Sequence, residues 1–249
     1  MSAYSYFAEF YDSLTYNVAY DKKADYLIEL LKRHHHPSGV TLDLACGTGS
    51  LTLELYKRGI DVFGADMSTD MLTVAQQKSA EADCQILFLR QKMQNLNLYG
   101  TIDTCICSLD SINHLPSSTD VIKTFEGVSR FLNPNGLFVF DANTVYKHRS
   151  VLGDNCYIYD REDVFCAWQN NYYEKDHKVI ITLDFFAPNS KGYTRYSEQF
   201  SERAYTREKM TEMIEKSGLT LEAVYDDMTF NEPEPDSERE IYVVRKIEE

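Results

Sequence analysis

The chain has 249 residues, 43% hydrophobic and 26% charged, which suits one large α/β domain with a modest insertion and is too apolar for disorder. Lys and Arg total 25 against 39 acidic residues; a net charge of −14 repels polyphosphate backbones, and no basic patch compensates, so nucleic acid is not an expected partner. No apolar run is long enough to span a membrane, and "MSAYSYFAEFYDSL" lacks the basic lead and apolar core of a secretory signal; with six scattered cysteines, a reduced, cytoplasmic protein without a membrane partner is expected.

Tyr26, Leu27, Leu30 and Leu31 recur at helical spacing and predict a helix over 22–34. Its end, "KRHHHP" (32–37), reads as a solvated helix terminus, because contiguous histidines cannot all face one metal ion. After Pro37 and Gly39, "VTLDLA" (40–45) reads as a strand and "SLTLELYKRG" (50–59) as a helix stopped by Gly59. "DVFGAD" (61–66) is the second strand, and Ser68 or Thr69 caps a helix over 68–82. "QILFLR" (85–90) is the third strand; "TIDTCICS" (101–108) is the fourth, with Cys105 and Cys107 as small core residues on one face. A helix over 117–132 and the turn "NPNG" lead to a fifth strand at 137–143.

Beyond 145 come the aromatic segments "DVFCAWQNNYYE", "KVIITLDFFAP" and "YTRYSEQFSERAY", expected as a small antiparallel β insertion. A helix over 206–218 follows, capped by Thr206 and stopped by Gly218. "LTLEAVYDD" and "IYVVRKI" then form an antiparallel edge hairpin around the surface loop "NEPEPDSERE" (231–240). Strands and helices alternate with short connections through the first part of the chain. The expected fold is therefore α/β: a Rossmann-like, doubly wound, seven-stranded and mostly parallel sheet, with the β insertion attached.

In open parallel sheets ligands bind beyond the carboxyl ends of the strands, which puts "LDLACGTGS" (42–50) at the binding edge. Gly47 and Gly49 let backbone approach a ligand closely, and the helix N-terminus beyond favours negative charge. From Gly47 the sequence runs G-T-G-S-L-T, so the third glycine of the dinucleotide fingerprint is missing. Asp66, closing the second strand, can accept hydrogen bonds from the ribose hydroxyls of any adenosine cofactor, or can cap the helix beside Ser68.

"LDLACGTGSLTLEL", "VFGADMSTDMLTVAQQK", "FLRQKMQNLNL" and "TIDTCICSLDSINHL", in that order, resemble the successive motifs of class I S-adenosylmethionine-dependent methyltransferases. "YFAEFYDSL" and the β insertion further resemble glycine N-methyltransferase-like enzymes and N,N-dimethyltransferases of nucleotide-linked amino sugars. The resemblance implies S-adenosyl-L-methionine as cofactor, its methionine part cradled by Asp43, Ala45, Cys46, Gly47, Thr48 and Gly49. It also implies Asp66 on the ribose, Met67 and Met71 beside the adenine, and the stretch from Ser108 and Asp110 to His114 beneath the cofactor. Family members often carry Asp-Met after the third strand, where this chain has Gln91, Lys92 and Met93; Lys92 replaces the acid, leaving the adenine amino group to Gln91 or to backbone. Ala45 stands where glycine is commonest, and Tyr11 resembles the family's N-terminal lid tyrosine, though an aromatic there is also ordinary helix core.

By that resemblance, 1–144 with 204–249 forms the cofactor-binding domain, and 145–203 an inserted subdomain for acceptor binding or dimerisation. Methyl transfer from a sulfonium requires alignment and exclusion of water. His114 is the candidate catalytic base, or else a histidine that orients its loop. Asp141 and Asn143 are expected at the acceptor pocket, Asn143 alternatively as a turn cap. Tyr157, Tyr159, Trp168, Tyr172, Tyr173, Tyr193, Tyr196 and Tyr205 offer walls for a sugar, a planar metabolite or a methylammonium centre, or serve as core and dimer contacts. The expected partners are a small-molecule methyl acceptor, with nitrogen or oxygen left open, and a second copy in a homodimer; no metal is expected. Two other readings compete: a NAD-dependent oxidoreductase, weakened by the missing glycine, and a non-catalytic cofactor-binding module. A nucleic-acid methyltransferase expects Asn/Asp-Pro-Pro-Tyr/Phe at the fourth strand, where Ser-Leu-Asp-Ser stands.

Overall fold

Strand β1 (Val40–Leu44) is buried at every position after the first, because it has parallel neighbours on both sides: β2 (Asp61–Asp66) and β4 (Ile102–Cys107). These coordinates are a computed structural model describing residues 7–15 and 17–247; Tyr6 of "YFAEFYDSL" and the last two residues of the 204–249 segment lie outside them. With β3 (Phe88–Arg90), β5 (Leu132–Asn143), β10 (Thr220–Asp226) and β11 (Arg239–Arg245), the sheet has the order β10-β11-β5-β4-β1-β2-β3. β11 is antiparallel to both neighbours, which leaves β10 at the edge.

Alternation along the strands feeds two cores, one on each face. Phe138, Phe140, Cys105, Cys107 and Tyr242 pack with α5 (Ser118–Phe131) and α6 (Arg207–Lys216). Leu137, Val139, Ile106, Ile241 and Val243 pack with α2 (Tyr20–Arg33) and α3 (Ser50–Lys57). Ser68 caps α4 (Thr69–Glu81) by accepting from Met71 N, and Thr206 caps α6 by accepting from Lys209 N.

A second sheet, β6-β7-β8-β9, is antiparallel throughout and consists of Cys156–Asp160, Phe165–Tyr173, Lys178–Asn189 and Gly192–Arg203. Val179, Ile181, Leu183 and Phe185 alternate along β8 onto one buried face, where Phe10 and Leu14 of α1 (Phe7–Leu14) join them. Tyr157, Tyr159, Trp168, Tyr172 and Tyr196 pack against this core, whereas Tyr173 and Tyr193 are exposed. No helix among the described residues is long and apolar enough to cross a membrane.

Three sequence expectations need correction. The third strand is shorter than 85–90, since an edge position with one neighbour leaves Leu87 59% exposed. "NPNG" is a bulge within β5 rather than a turn before it: Ile102 pairs with Leu132 and Thr104 with Leu137, with Asn135 left-handed between. The histidine run is solvated only in part: His35 is exposed, but its neighbours are tied down. His34 bonds Glu222 at 2.9 Å and Tyr225 at 3.1 Å, while His36 bonds the Asp103 carbonyl at 3.1 Å and Thr104 at 3.0 Å, tying the end of α2 to β10 and β4.

Candidate active site

The turn after β1 holds three residues in the left-handed region: Ala45 (φ 60°), Gly47 (φ 53°) and Gly49 (φ 71°). The two glycines do different work. A Cβ on Gly47 would meet nothing within 4 Å, so its backbone borders open space. One on Gly49 would lie 2.9 Å from the Ala75 Cβ and 3.2 Å from the Phe88 ring, so Gly49 permits α3 to pack against α4 and β3. Ala45 takes the left-handed conformation without glycine's freedom, at a strain of about 1–2 kcal/mol.

At this edge opens a pocket of about 180 Å³ lined by Tyr11, Ala45, Gly47, Asp66, Met67, Ser68, Met71, Gln91, Met93, Gln94, Leu109, Ser111, His114 and Leu115. Asp66 accepts from Gly47 N at 3.0 Å and Ser68 N at 2.8 Å, so one carboxylate joins the glycine turn to the start of α4. Burial pushes its pKa up, against the pull of those backbone N–H groups. Burial also pushes the Tyr11 phenol up, aided by Tyr20 and Asp110.

Several expected residues are not on this wall. Asp43 is buried behind the turn and accepts from Thr52 Oγ1 at 2.5 Å; burial lifts its carboxyl to about 7. The Cys46 sulfur is turned toward Gly64, and Thr48 donates to Asp12 at 2.9 Å. Gly49 is occupied with packing, as above. Lys92 lines an adjoining surface cavity with Arg90, Asn95, Asn97 and Tyr99. Gln91 does reach the pocket, but its amide is spent on the Asn97 backbone at 2.7 and 2.8 Å. Ser108 accepts from the Ser111 hydroxyl through its carbonyl.

Asp110 sits in a polar cluster beside the pocket. It and Leu109 are both left-handed (φ 50° and 57°), held there because Asp141 accepts Asp110 N at 2.6 Å and Leu109 N at 3.0 Å. Asp141 pairs with Lys23 at 3.0 Å and with Arg239 at 2.7 Å; burial would raise its carboxyl, but these cations hold it well below the usual range. Asp141 therefore builds the loop, and it is not among the residues that line the pocket. Asn143 donates to Asp110 at 3.0 Å and Glu202 at 3.2 Å, while the following turn is capped by Thr144, which accepts from Lys147 N at 3.0 Å.

Ser68 was legible as a helix cap but not as a wall residue. Gln94, Leu109, Ser111 and Leu115 follow from the loops that carry the motifs. Glu202, which meets His114 from the second sheet, and His148, which meets Glu202 from the π-helical turn Lys147–Leu152, carry no local signal linking them to the pocket.

A doubly wound sheet with a glycine turn, an acidic β2 terminus and a pocket over the switch strands is the arrangement of a protein that binds a nucleoside-containing cofactor. The Gly47 opening and the Asp66 carboxylate fit S-adenosyl-L-methionine, whose amino-acid end can lie along bare backbone and whose ribose can donate hydroxyls. The profile of the "Methyltransferase domain" family matches residues 41–136. YqeM of Bacillus subtilis (strain 168), provisionally described as a methyltransferase, is 34% identical over 244 residues, 98% of this chain and 97% of that one. The crystal structure of a S-adenosylmethionine-dependent methyltransferase from Clostridium acetobutylicum superposes with TM-score 0.88 at 32% identity, covering 98% of this chain and 99% of that one. A glycine/sarcosine N-methyltransferase of Parasynechococcus marenigrum is 30% identical over 62% of this chain and 54% of its own length. The chain belongs to the class I S-adenosylmethionine-dependent methyltransferases, and the nicotinamide and non-catalytic readings fall away.

Proposed function

We propose that the protein methylates a nitrogen or oxygen of a small molecule, with the acceptor entering between the pocket and the second sheet. The observation that supports this most is the meeting of His114, on the pocket wall, with Phe200 of β9 at 5.2 Å between ring centroids. The second sheet thus borders the end of the cofactor pocket, as an acceptor-binding insertion at 145–203 would. Asp66 would hold the ribose and the Gly47 backbone the methionine part, with Met67, Met71 and Met93 around the adenine. A net charge of −14 and the Asp110 and Glu202 carboxylates favour a neutral or cationic acceptor, in line with the glycine, sarcosine and amino-sugar acceptors named for relatives.

Calorimetry with S-adenosyl-L-methionine, S-adenosylhomocysteine and a NAD control, alongside Asp66→Ala, tests the pocket. Micromolar binding of the sulfonium pair, lost in the variant, is expected. Labelled-methyl transfer across a panel of amines, amino sugars and hydroxylated metabolites then identifies the acceptor. Transfer to oligonucleotides alone would overturn the small-molecule reading.

A further inference from the structure

Glu202 of β9 is 4% exposed, yet among the described residues the basic side chains within 4.0 Å of its carboxyl oxygens are two imidazoles and neither a lysine nor an arginine. One oxygen is anchored: Asn143 Nδ2 donates to Oε2 at 3.2 Å, and His148 Nε2 lies 3.5 Å from it. His148 is fully buried, and its Nδ1 faces the His177 carbonyl at 3.0 Å, so Nδ1 is the donor. The other oxygen, Oε1, faces His114 Nε2 at 3.6 Å, longer than a formed hydrogen bond, as in many sites before substrate binds. Asp110 also stands within 4.8 Å of the His114–Glu202 contact, but its carboxylate pairs with Arg239 at 2.7 Å and accepts from Asn143 at 3.0 Å; Lys147 lies 4.0 Å from Glu238.

We propose that Glu202 is the positioning residue for His114, a carboxylate from the second sheet that keeps the ring proton on Nε2 and makes Nδ1 the nitrogen that receives a proton from the methyl acceptor. This rests on the methyltransferase reading of the pocket and narrows the acceptor to one with a proton to lose, an ammonium or a hydroxyl. The proton leaves the acceptor's nitrogen or oxygen, its bonding electron pair stays behind on that atom, and the Nδ1 lone pair takes the proton. The imidazolium so formed faces a buried carboxylate, so the charge appears where an opposite charge already waits. S-adenosyl-L-methionine, when bound, supplies the electrophilic methyl group for that electron pair.

Long-range 1H–15N correlation spectra of the full chain at alkaline pH report which nitrogen of each ring is protonated, without turnover. The expected wild-type pattern is Nε2–H for His114. In Glu202→Gln the Asn143 donor claims the amide oxygen, which turns the NH2 toward His114, and its tautomer switches to Nδ1–H; Glu202→Asp restores Nε2–H. An Nδ1–H ring at His114 in the wild type, or an unchanged tautomer in folded Glu202→Gln, overturns the proposal. If Glu202→Gln does not fold, the wild-type tautomer decides alone. Calorimetry with S-adenosyl-L-methionine on the same samples separates the two readings. Wild-type protein that binds no cofactor counts against the pocket, while retained binding with the wrong tautomer counts against Glu202.

Discussion

Lys23 on α2 meets Asp141 on β5 at 3.0 Å, across 118 residues of sequence, with side chains only 8% and 3% exposed. Asp141 also accepts the N–H groups of Leu109 and Asp110, so this buried pair shapes the loop that carries His114. Asp141→Asn leaves Lys23 buried without its counter-charge and should cost about 3–5 kcal/mol in urea unfolding at neutral pH. The folded carboxyl lies below its unfolded value, so its contribution is full above about pH 4 and is lost as pH falls through the lower, folded pKa. The gap between wild type and variant should accordingly close in acid; a gap that persists unchanged there would contradict the ion pair's role.

Asp43 runs the opposite way. Burial lifts its carboxyl to about 7 in the folded state, so between roughly pH 4 and 7 the unfolded chain loses a proton that the folded one keeps. Its contribution therefore makes stability fall as pH rises across that window, by up to about 1.4 kcal/mol per pH unit. Asp43→Asn should remove this part of the slope in urea midpoints measured against pH, and an identical slope in the variant would refute the assignment.

The glycine turn separates into residues for folding and a residue for binding. Ala45→Gly relieves left-handed strain and should stabilise by about 0.5–1 kcal/mol after glycine's extra entropy loss. Gly49→Ala drives a methyl into Ala75 and Phe88 and should destabilise by about 2 kcal/mol. Gly47→Ala meets no protein atom. It should cost only about 1 kcal/mol of strain, yet weaken S-adenosyl-L-methionine binding by roughly tenfold, because its methyl enters the pocket. Thermal unfolding and calorimetry on the three variants test this division.

Asp12 fastens α1 to the turn. It pairs with Lys78 and accepts from Thr48 at 2.9 Å and Ser50 at 3.2 Å, next to Tyr11 on the pocket wall. Asp12→Ala should cost no more than about 1 kcal/mol of global stability, since the carboxylate is 41% exposed. Hydrogen exchange in α1 should speed up, and cofactor affinity should drop severalfold as Tyr11 loosens. Unchanged exchange in α1 would show that the helix is held by Phe10 and Leu14 alone.

Much of this protein is local, and so the sequence determined it. The alternation of Phe138 and Phe140 with Leu137 and Val139 marks a strand buried on both faces, and Ser68, Thr206, Gly59 and Gly218 mark helix ends by their own backbone chemistry. The glycine turn and Asp66 were legible for the same reason, because binding there depends on residues within one strand–turn–helix unit. Tertiary structure alone decided the rest. It turned the histidine run into a tether to β4 and β10, moved Asp43 and Thr48 off the wall, made Asp141 a structural ion pair with Lys23 and Arg239, and brought Glu202 to His114. These are contacts between side chains far apart in sequence, and no periodicity or spacing encodes them. They exist because two sheets and their helices close around one edge, where a buried charge must find whichever opposite charge or donor that closure brings within reach.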